Sequence, residues 1–244
     1  MTGKGRQLAG LLAEWLYPRV CPNSSCGKPS DRPGRSLCWE CFRTVELYRE
    51  SLCERCGAHA EGRVGHAFEC GVCREVRPHF DRARSAGRFR GTLREMIHGF
   101  KYGKALWLCQ DLTDFLAGCL TAHFDPVAVD VVVPVPLHPV RERERSYNQA
   151  ALLARALAER IGRRYDDRAL RRMRHTETQT HLDAVRRRLN MRGAFEVVRP
   201  AWVTQRCVLL VDDVMTTGAT LDACAHALKR AGARTVWALT VARG

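Results

Sequence analysis

The segment with the clearest chemistry is Val211-Asp212-Asp213-Val214-Met215-Thr216-Thr217-Gly218-Ala219-Thr220. It follows an apolar run and opens a predicted helix, so free backbone N–H groups and the helix dipole would face an anion such as phosphate. Gly218 lets the backbone approach a ligand closely, and the threonine hydroxyls add donors. Two carboxylates would repel a phosphate unless Asp212 and Asp213 bind something else, such as ribose hydroxyls or a magnesium ion. Residues 216–220 are called the phosphate loop below.

The cysteines form a second chemical pattern. Eight of the twelve lie in four close pairs, which are Cys21 and Cys26, Cys38 and Cys41, Cys53 and Cys56, and Cys70 and Cys73. Tetrahedral zinc takes four thiolates at about 2.3 Å, and a Cys-x2-Cys turn lets both of its sulfurs reach one ion. Clustered pairs without a secretion signal favour metal over disulfides. The spacing predicts two structural zinc sites, with ligands that are either sequential or cross-braced.

The net charge of +14 indicates an anionic partner. Residues 141–192 hold fifteen Arg against seven Asp or Glu, which places +8 of that charge in one segment. Such a segment attracts a polyanion, either nucleic acid or a multiply phosphorylated small molecule, although a solvated arginine face is the alternative. Aromatic residues make up only 7% of the chain, so stacking platforms for single-stranded DNA are few. The candidates are Tyr102, Tyr147, Tyr165 and Trp202.

These residues need a framework that positions them. Apolar patterns predict helices at 92–100, 105–123, 149–160 and 218–231, and buried strands at 129–135, 207–211 and 235–241. Strands that alternate with helices predict an α/β fold with a parallel sheet. The loop that follows Val135 and Pro136 then reaches the same sheet edge as the phosphate loop, where ligands of open α/β sheets bind.

The chain divides into two predicted domains, residues 1–80 and residues 81–244. The first has few apolar runs and cannot bury enough surface to fold without zinc. Residues 1–17 are predicted to form a short amphipathic helix, and the basic residues 163–191 a loop with some helix. No apolar stretch approaches the roughly 20 residues of a membrane span, and no signal peptide is evident. A cytoplasmic location is therefore expected.

Residues 211–220 resemble the 5-phosphoribosyl-1-pyrophosphate (PRPP) signature of type I phosphoribosyltransferases. In that family the acidic pair contacts the ribose hydroxyls, and the threonine loop holds the 5-phosphate. The resemblance implies PRPP with magnesium as the ligand, bound by Asp212, Asp213, Thr216, Thr217, Gly218, Ala219 and Thr220. Purine-salvage members have Asp where this chain has Thr216, so the loop is more similar to the orotate and amidotransferase branches.

Over essentially its whole length the chain resembles the ComF family, which is linked to DNA uptake in natural competence. The shared pieces are the cysteine pairs, Phe100-Lys101-Tyr102, Val133-Pro134-Val135-Pro136-Leu137, Arg145-Ser146-Tyr147-Asn148-Gln149-Ala150, Gln179-Thr180 and Arg187-x2-Asn190-x2-Gly193-Ala194-Phe195. The family usually has Gly at the position of Ser146, so this chain lacks a permissive backbone residue there. The resemblance implies a double zinc ribbon followed by a type I phosphoribosyltransferase domain.

Further site residues follow from these motifs. Pyrophosphate is expected in the loop after the predicted strand 129–135, at Val135, Pro136, Arg141, Arg145 and Asn148. Lys101 and Arg145 are the candidate catalytic residues; Lys101 is notable because only five of the 40 basic residues are Lys. An acceptor-binding hood is expected at Gln179, Arg187 and Asn190.

Two functions are consistent with this sequence. In the first, the protein is a magnesium-dependent phosphoribosyltransferase, in which pyrophosphate leaves the anomeric carbon of PRPP and a nitrogen nucleophile attacks. In the second, it is a competence protein that binds PRPP as a structural or regulatory input and handles single-stranded DNA, with a helicase or recombination mediator as partner. A purely structural zinc-ribbon adaptor would leave the phosphate loop unexplained.

Overall fold

The computed structural model describes residues 19–60, 62, 64–174, 191 and 193–244. The predicted helix at 1–17 and the predicted hood residues Gln179, Arg187 and Asn190 lie outside these residues. The described helices are α1 Trp39–Arg43, α2 Gly71–Val76, α3 Gly91–Tyr102, α4 Cys109–His123, α5 Pro139–Arg145, α6 Gln149–Ile161 and α7 Ala219–Arg230. The described strands are β1 Arg82–Arg88, β2 Val131–Pro134, β3 Arg164–Tyr165, β4 Leu170–Arg172, β5 Phe195–Val197, β6 Cys207–Met215 and β7 Thr235–Arg243. Among these helices, none has the length and apolar character that crossing a bilayer requires.

Five parallel strands form the central sheet in the order β1-β7-β6-β2-β3. The predicted parallel α/β fold is confirmed, and β2, β6 and β7 lie on the three predicted apolar runs. Strand β6 continues beyond its predicted end at Val211, and it pairs with β7 as far as Met215 opposite Arg243. The acidic pair therefore lies at the carboxyl end of a central strand, which is where ligands of open α/β sheets bind.

Two segments differ from the predictions. Strand β1 was not predicted because its residues are basic or small, yet its five central residues are buried. The prediction of loop with some helix for residues 163–191 is wrong in its described part, which contains β3 and β4. Strand β4 pairs antiparallel with β5 in a separate two-stranded sheet. In both segments pairing with distant residues outweighs local preference.

The outer side of β1 is bonded to the cysteine-rich segment. Ala83 N donates to Arg55 O at 2.6 Å, and Tyr48 N donates to Ala86 O at 3.0 Å. The opposite side of β1 pairs with β7. The backbone groups of β1 are thus satisfied by residues from the two ends of the described chain.

The cysteine-rich segment packs on both faces of the sheet. Side chains of β6 alternate between two buried clusters, so these clusters lie on opposite faces. Three cysteines of the first quartet join the cluster that contains α3 and α4, and three cysteines of the second quartet join the cluster that contains α7. Both halves of the chain share these cores, and the domain boundary between residues 80 and 81 stays a prediction.

A buried carboxylate connects the first quartet to α4. Asp111 is fully buried and accepts hydrogen bonds from Ser36 N at 2.9 Å and Leu37 N at 3.3 Å. Arg32 donates through Nη1 to Asp111 at 3.3 Å and through Nη2 to Asp114 at 3.2 Å. Burial raises the pKa of Asp111, and the backbone donors and Arg32 oppose that shift. This network ties the ribbon backbone to a helix of the sheet domain.

Candidate functional site

The phosphate loop connects β6 to α7. Gly218 is the N-cap residue of α7 and has a φ of 78°, in the left-handed region that glycine adopts without steric cost. A Cβ at this position would lie 2.6 Å from Cε of Met215. Gly218 has no side chain that could cap the first turn of α7, and Thr217 Oγ1 contacts only the first N–H of that turn, on Ala219, at 3.4 Å. The backbone N–H groups that follow are therefore available to an anion.

The threonines of the loop have few protein partners. In the described part of the chain, the hydroxyls of Thr216 and Thr220 make no hydrogen bond, and Thr217 Oγ1 only accepts from Ala219 N at 3.4 Å. Thr216 is exposed, and the other two threonines are half-buried. These hydroxyls can therefore donate to a phosphate without breaking an internal contact.

The acidic pair lies next to a single ammonium group. Asp213 is buried, and its Oδ1 lies 2.9 Å from Nζ of Lys101. Asp212 Oδ1 accepts from the backbone N–H of Asp213 at 2.8 Å. Burial and the charge of Asp213 raise the pKa of Asp212 well above its usual range, whereas the charge of Lys101 opposes the shift. Two adjacent carboxylates with one ammonium beside them suit a ribose diol or a divalent cation.

Lys101 lies in the last turn of α3, which is anchored to the segment before α6. The hydroxyl of Tyr147 donates to the carbonyl of Phe100, and Nε2 of Gln149 donates to the carbonyl of Lys101 at 3.4 Å. Arg145 Nη1 donates to Oε1 of Gln149 at 3.1 Å. The two candidate catalytic residues thus lie in one region, but among the described contacts only Lys101 reaches the acidic pair.

The eight paired cysteines form two groups of four. The groups are Cys21, Cys26, Cys38 and Cys41, and Cys53, Cys56, Cys70 and Cys73. Within each group the sulfurs all lie within 4.8 Å of one another, and none of these cysteines is in a disulfide. Backbone amides support the sulfurs, since Cys70 N donates to Cys53 Sγ at 3.3 Å. Four converging thiols are the donor set of structural zinc, and the ligands are sequential, not cross-braced.

Comparisons with known proteins agree with both halves of this description. Residues 12–77 match the double zinc ribbon domain, and residues 148–244 match the phosphoribosyl transferase domain. The chain is 33% identical over 220 residues to DNA utilization protein YhgH of Salmonella typhi, across 88% of this chain and 94% of that protein. It is 30% identical over 210 residues to competence protein F of Haemophilus influenzae, across 83% and 89% of the two chains. The chain belongs to the ComF family.

A third relative matches over a similar length. The ComF chain described here is 29% identical over 212 residues to competence protein ComFC of Bacillus subtilis, across 82% of this chain and 81% of that protein. A match of this extent is longer than the sheet domain alone.

The predicted pyrophosphate loop of this ComF protein is partly helical. Arg141 and Arg145 lie on the short helix α5, between β2 and α6. Asn148 Nδ2 donates to Val135 O at 3.1 Å, and Asn148 Oδ1 accepts from Ala150 N at 3.0 Å as the N-cap of α6. The side chain of Asn148 thus holds the loop in shape, and pyrophosphate binding by these residues stays a prediction.

Helix α5 ends at Ser146, which has φ 69° and ψ −4°. This is the position where the ComF family usually has Gly. This left-handed conformation raises the free energy of a residue with a Cβ by roughly 1–2 kcal/mol. The backbone therefore keeps the shape that Gly favours, although the residue has changed.

Replacing this serine tests the strain directly. We expect Ser146→Gly to raise the free energy of unfolding by about 0.5–1 kcal/mol, because relief of strain exceeds the added entropy of the unfolded chain. Urea denaturation measures the change. Gly162 is the reciprocal control, because it caps α6 at φ 64° with no atom near its missing Cβ. Gly162→Ser should lower stability by a similar amount, and a destabilised Ser146→Gly would contradict the strain.

Sequence reasoning missed Arg172, which lies on β4. Burial lowers the pKa of its guanidinium, and the charge of Arg141 acts in the same direction whereas that of Asp212 opposes it. Arg172 lines a cleft of about 570 Å³ together with Arg168, Arg171, Arg199 and two carboxylates, Glu142 and Asp167. The charge of this segment was visible in the sequence, but the pairing of β4 with β5 that places Arg172 at this cleft was not.

Proposed function

We propose that this ComF protein binds PRPP with magnesium at the phosphate loop and uses the loaded domain to handle single-stranded DNA during DNA uptake. One observation carries the proposal: backbone N–H groups open to an anion at the start of α7 lie a few residues after Asp212 and Asp213, and Lys101 pairs with the second of these carboxylates. An anion site beside a carboxylate pair fits a sugar phosphate better than it fits phosphate alone. The names of the relatives, DNA utilization protein and competence protein, support the DNA part.

Each part of the ligand has a partner in this arrangement. The amides of α7 and the threonine hydroxyls would hold the 5-phosphate, and Asp212 and Asp213 would bind the ribose hydroxyls. Magnesium would supply charge neutralisation for the pyrophosphate oxygens. Lys101 lies beside Asp213 and keeps a positive charge at the ribose end of the site.

The cleft is lined by four arginines and two carboxylates, and this excess of positive charge supports a polyanionic partner. Its lining includes residues of β4 and of the predicted pyrophosphate loop, so a bound strand would lie next to PRPP. Arginines bind phosphates through paired N–H groups and release counterions from DNA. We expect the protein to act in the cytoplasm, where thiols stay reduced and four-thiolate zinc sites persist.

Turnover is a second candidate function, and Lys101 is the observation that favours it. In that reaction the bond between the anomeric carbon and pyrophosphate breaks, a bond to a nitrogen nucleophile forms, and the nucleophile releases its proton to solvent. Lys101 is the described cation nearest the acidic pair and could stabilise the departing charge. Release of pyrophosphate in the presence of a panel of nitrogen bases would support turnover.

The PRPP proposal is tested by thermal denaturation with PRPP and magnesium. A ligand at 100 times its Kd should stabilise the wild type by about 2.7 kcal/mol. The double variant Asp212→Asn/Asp213→Asn keeps the side-chain shapes and should not respond. No stabilisation of the wild type would overturn PRPP binding and leave DNA handling as the function to test.

Gly218 gives a sharper test because a matched control exists. Gly218→Ala and Gly162→Ala both place a Cβ on a left-handed N-cap or C-cap residue, so Gly162→Ala should lose about 1 kcal/mol of stability. Gly218→Ala should lose more, because its Cβ would also displace Cε of Met215. Only Gly218→Ala should also weaken PRPP binding, by about 10-fold or more, because it shifts the amides of the loop. Isothermal titration measures both affinities. Equal PRPP affinities in the two variants would show that the loop does not hold the phosphate.

The DNA part is tested separately with a fluorescent single strand. Arg168→Ala/Arg171→Ala should weaken binding. The slope of log binding constant against log salt concentration should become shallower by about 0.7 for each lost phosphate contact. Arg49→Ala/Arg230→Ala, at two exposed positions away from the cleft, is the control. If both pairs weaken binding equally, net charge and not the cleft would account for the attraction.

A further inference from the structure

Arg243 bridges the second cysteine quartet and the phosphate loop. It is the last residue of β7, and its Nη1 donates to the carbonyl of Cys56 at 2.8 Å. The same nitrogen donates to Sδ of Met215 at 3.3 Å, and Nη2 lies 3.8 Å from Sγ of Cys56. One guanidinium thus contacts a cysteine of the quartet and the residue that immediately precedes the loop.

Met215 transmits this contact to the loop. Its side chain is buried, and its Cε occupies the space that a Cβ on Gly218 would need, at 2.6 Å. Its carbonyl accepts from Gly244 N at 3.1 Å. Met215 is therefore fixed by neighbours on the C-terminal strand and packs directly beneath the left-handed residue of the loop. A shift of Met215 would alter the position of the amides that follow Gly218.

A cleft of about 420 Å³ lies between the quartet and the loop, lined by Val72, Pro78 and Phe80 on one side and by Thr217 and Gly218 on the other. A second polar contact spans this region: His79 N donates to Asp222 Oδ1 at 2.7 Å, which joins the segment after the quartet to the first turn of α7. Of these two contacts, that of Arg243 is the one that reaches both a quartet cysteine and the residue before the loop.

The quartet itself depends on metal for its shape. The carbonyl that accepts from Arg243 belongs to Cys56, one of the four converging thiols. Four thiolates and one zinc ion carry a net charge of about −2, and a nearby guanidinium offsets that charge. Arg84, which is buried, donates to the carbonyl of Cys53 at 3.1 Å on the same quartet. Loss of the metal would release the four cysteine side chains from one another and loosen the knuckle that accepts the hydrogen bond of Arg243.

From this geometry we infer that Arg243 is a positioning residue that couples zinc at the second quartet to the phosphate loop. The inference rests on the proposed function, since it makes PRPP binding tight only while that quartet holds its metal. The coupling is reciprocal, because if bound zinc strengthens PRPP binding, bound PRPP must strengthen zinc binding by the same factor. PRPP should therefore slow the loss of zinc from the second quartet.

The test compares variants of the full chain. Arg243→Met keeps much of the side-chain volume but removes the donors to Cys56, whereas Arg243→Lys retains one donor. We expect Arg243→Met to hold two zinc ions per chain, to exchange the amides of residues 211–220 faster in hydrogen exchange, and to bind PRPP about 10-fold more weakly. Arg243→Lys should recover part of both effects. Arg234→Met, at an exposed arginine that pairs with Asp130, is the control and should match the wild type.

The outcomes separate this inference from the proposed function. Unchanged exchange of residues 211–220 in Arg243→Met would overturn the coupling, even if PRPP binds the wild type. Faster exchange together with no PRPP binding by the wild type would instead contradict the proposed function and leave the bridge intact. Loss of zinc from Arg243→Met would show that the arginine serves only the quartet, which also overturns the inference.

A measurement on the wild type does not depend on any variant folding. A chelator is added, and zinc release is followed with a metallochromic dye in the presence and absence of PRPP and magnesium. We expect PRPP to slow the release of one of the two ions several-fold and to leave the other unchanged. Equal release with and without PRPP, under conditions in which PRPP binds, would contradict the linkage.

Discussion

Cys53→Ser is expected to remove one zinc ion per chain and to leave a protein that does not fold stably. Cys53 is fully buried in the cluster that the second quartet shares with α7. Structural zinc contributes about 10–16 kcal/mol of apparent binding free energy in zinc-finger peptides, which is as large as the whole stability of most domains. The free energy lost with one zinc ligand is therefore larger than the free energy of unfolding that holds the second ribbon on the sheet. Zinc content after denaturation and thermal melting by circular dichroism measure the two effects.

Cys119→Ser is the matched control for this variant. Cys119 is also a buried thiol, but it lies on α4 and belongs to neither quartet. Its replacement should keep two zinc ions and cost only about 1–3 kcal/mol, because it buries one hydroxyl. If Cys53→Ser retained two ions and melted like the control, the second quartet would not be a structural metal site.

Asp111→Ala is expected to lower the free energy of unfolding by about 3–5 kcal/mol, because it leaves two buried backbone N–H groups without an acceptor and removes one of the two carboxylates that pair with a buried guanidinium. Those groups belong to Arg32, Ser36 and Leu37. Urea denaturation measures the loss. The effect should be accompanied by easier extraction of zinc from the first quartet, since residues 36 and 37 immediately precede Cys38.

Asp31→Ala tests whether any lost carboxylate in this ribbon has the same effect. Asp31 is exposed and accepts a single hydrogen bond, from Trp39 N at 2.8 Å. Its replacement should cost only about 0.5–1.5 kcal/mol. Similar losses of unfolding free energy in the two variants would mean that the burial of Asp111 does not increase its contribution to stability.

Patterns that are local in sequence predicted the parts of the molecule that depend on local geometry. The cysteine pairs predicted two metal sites because a Cys-x2-Cys turn brings its own sulfurs together. The β-branched runs predicted β2 and β6 because strands buried on both faces need continuous apolar side chains. The turn after Asp213 predicted the start of α7 because Gly218 is the residue that permits its left-handed cap.

Other features depended on partners far away in the chain. Strand β1 is basic and small, and it is a strand because β7 and the ribbon bond to its two sides. Lys101 was singled out by its residue type, but its pairing with Asp213 spans more than a hundred residues. The position of Arg172 at the cleft that Pro136 and Asn148 also line required a strand that no local pattern indicated. Sequence spacing cannot reveal such contacts because the chain path between the partners is not known in advance.

The bonding of β1 has a consequence for the fate of the newly made chain. A sheet margin with unpaired backbone groups can recruit a strand from another molecule and begin aggregation. At one margin this sheet ends in β3, which has two residues and offers little to a recruited strand. At the other margin lies β1, which has seven residues and is shielded by the ribbon that carries Arg55 and Tyr48. Zinc shortage during synthesis should therefore appear as insoluble protein, not as an inactive but soluble monomer.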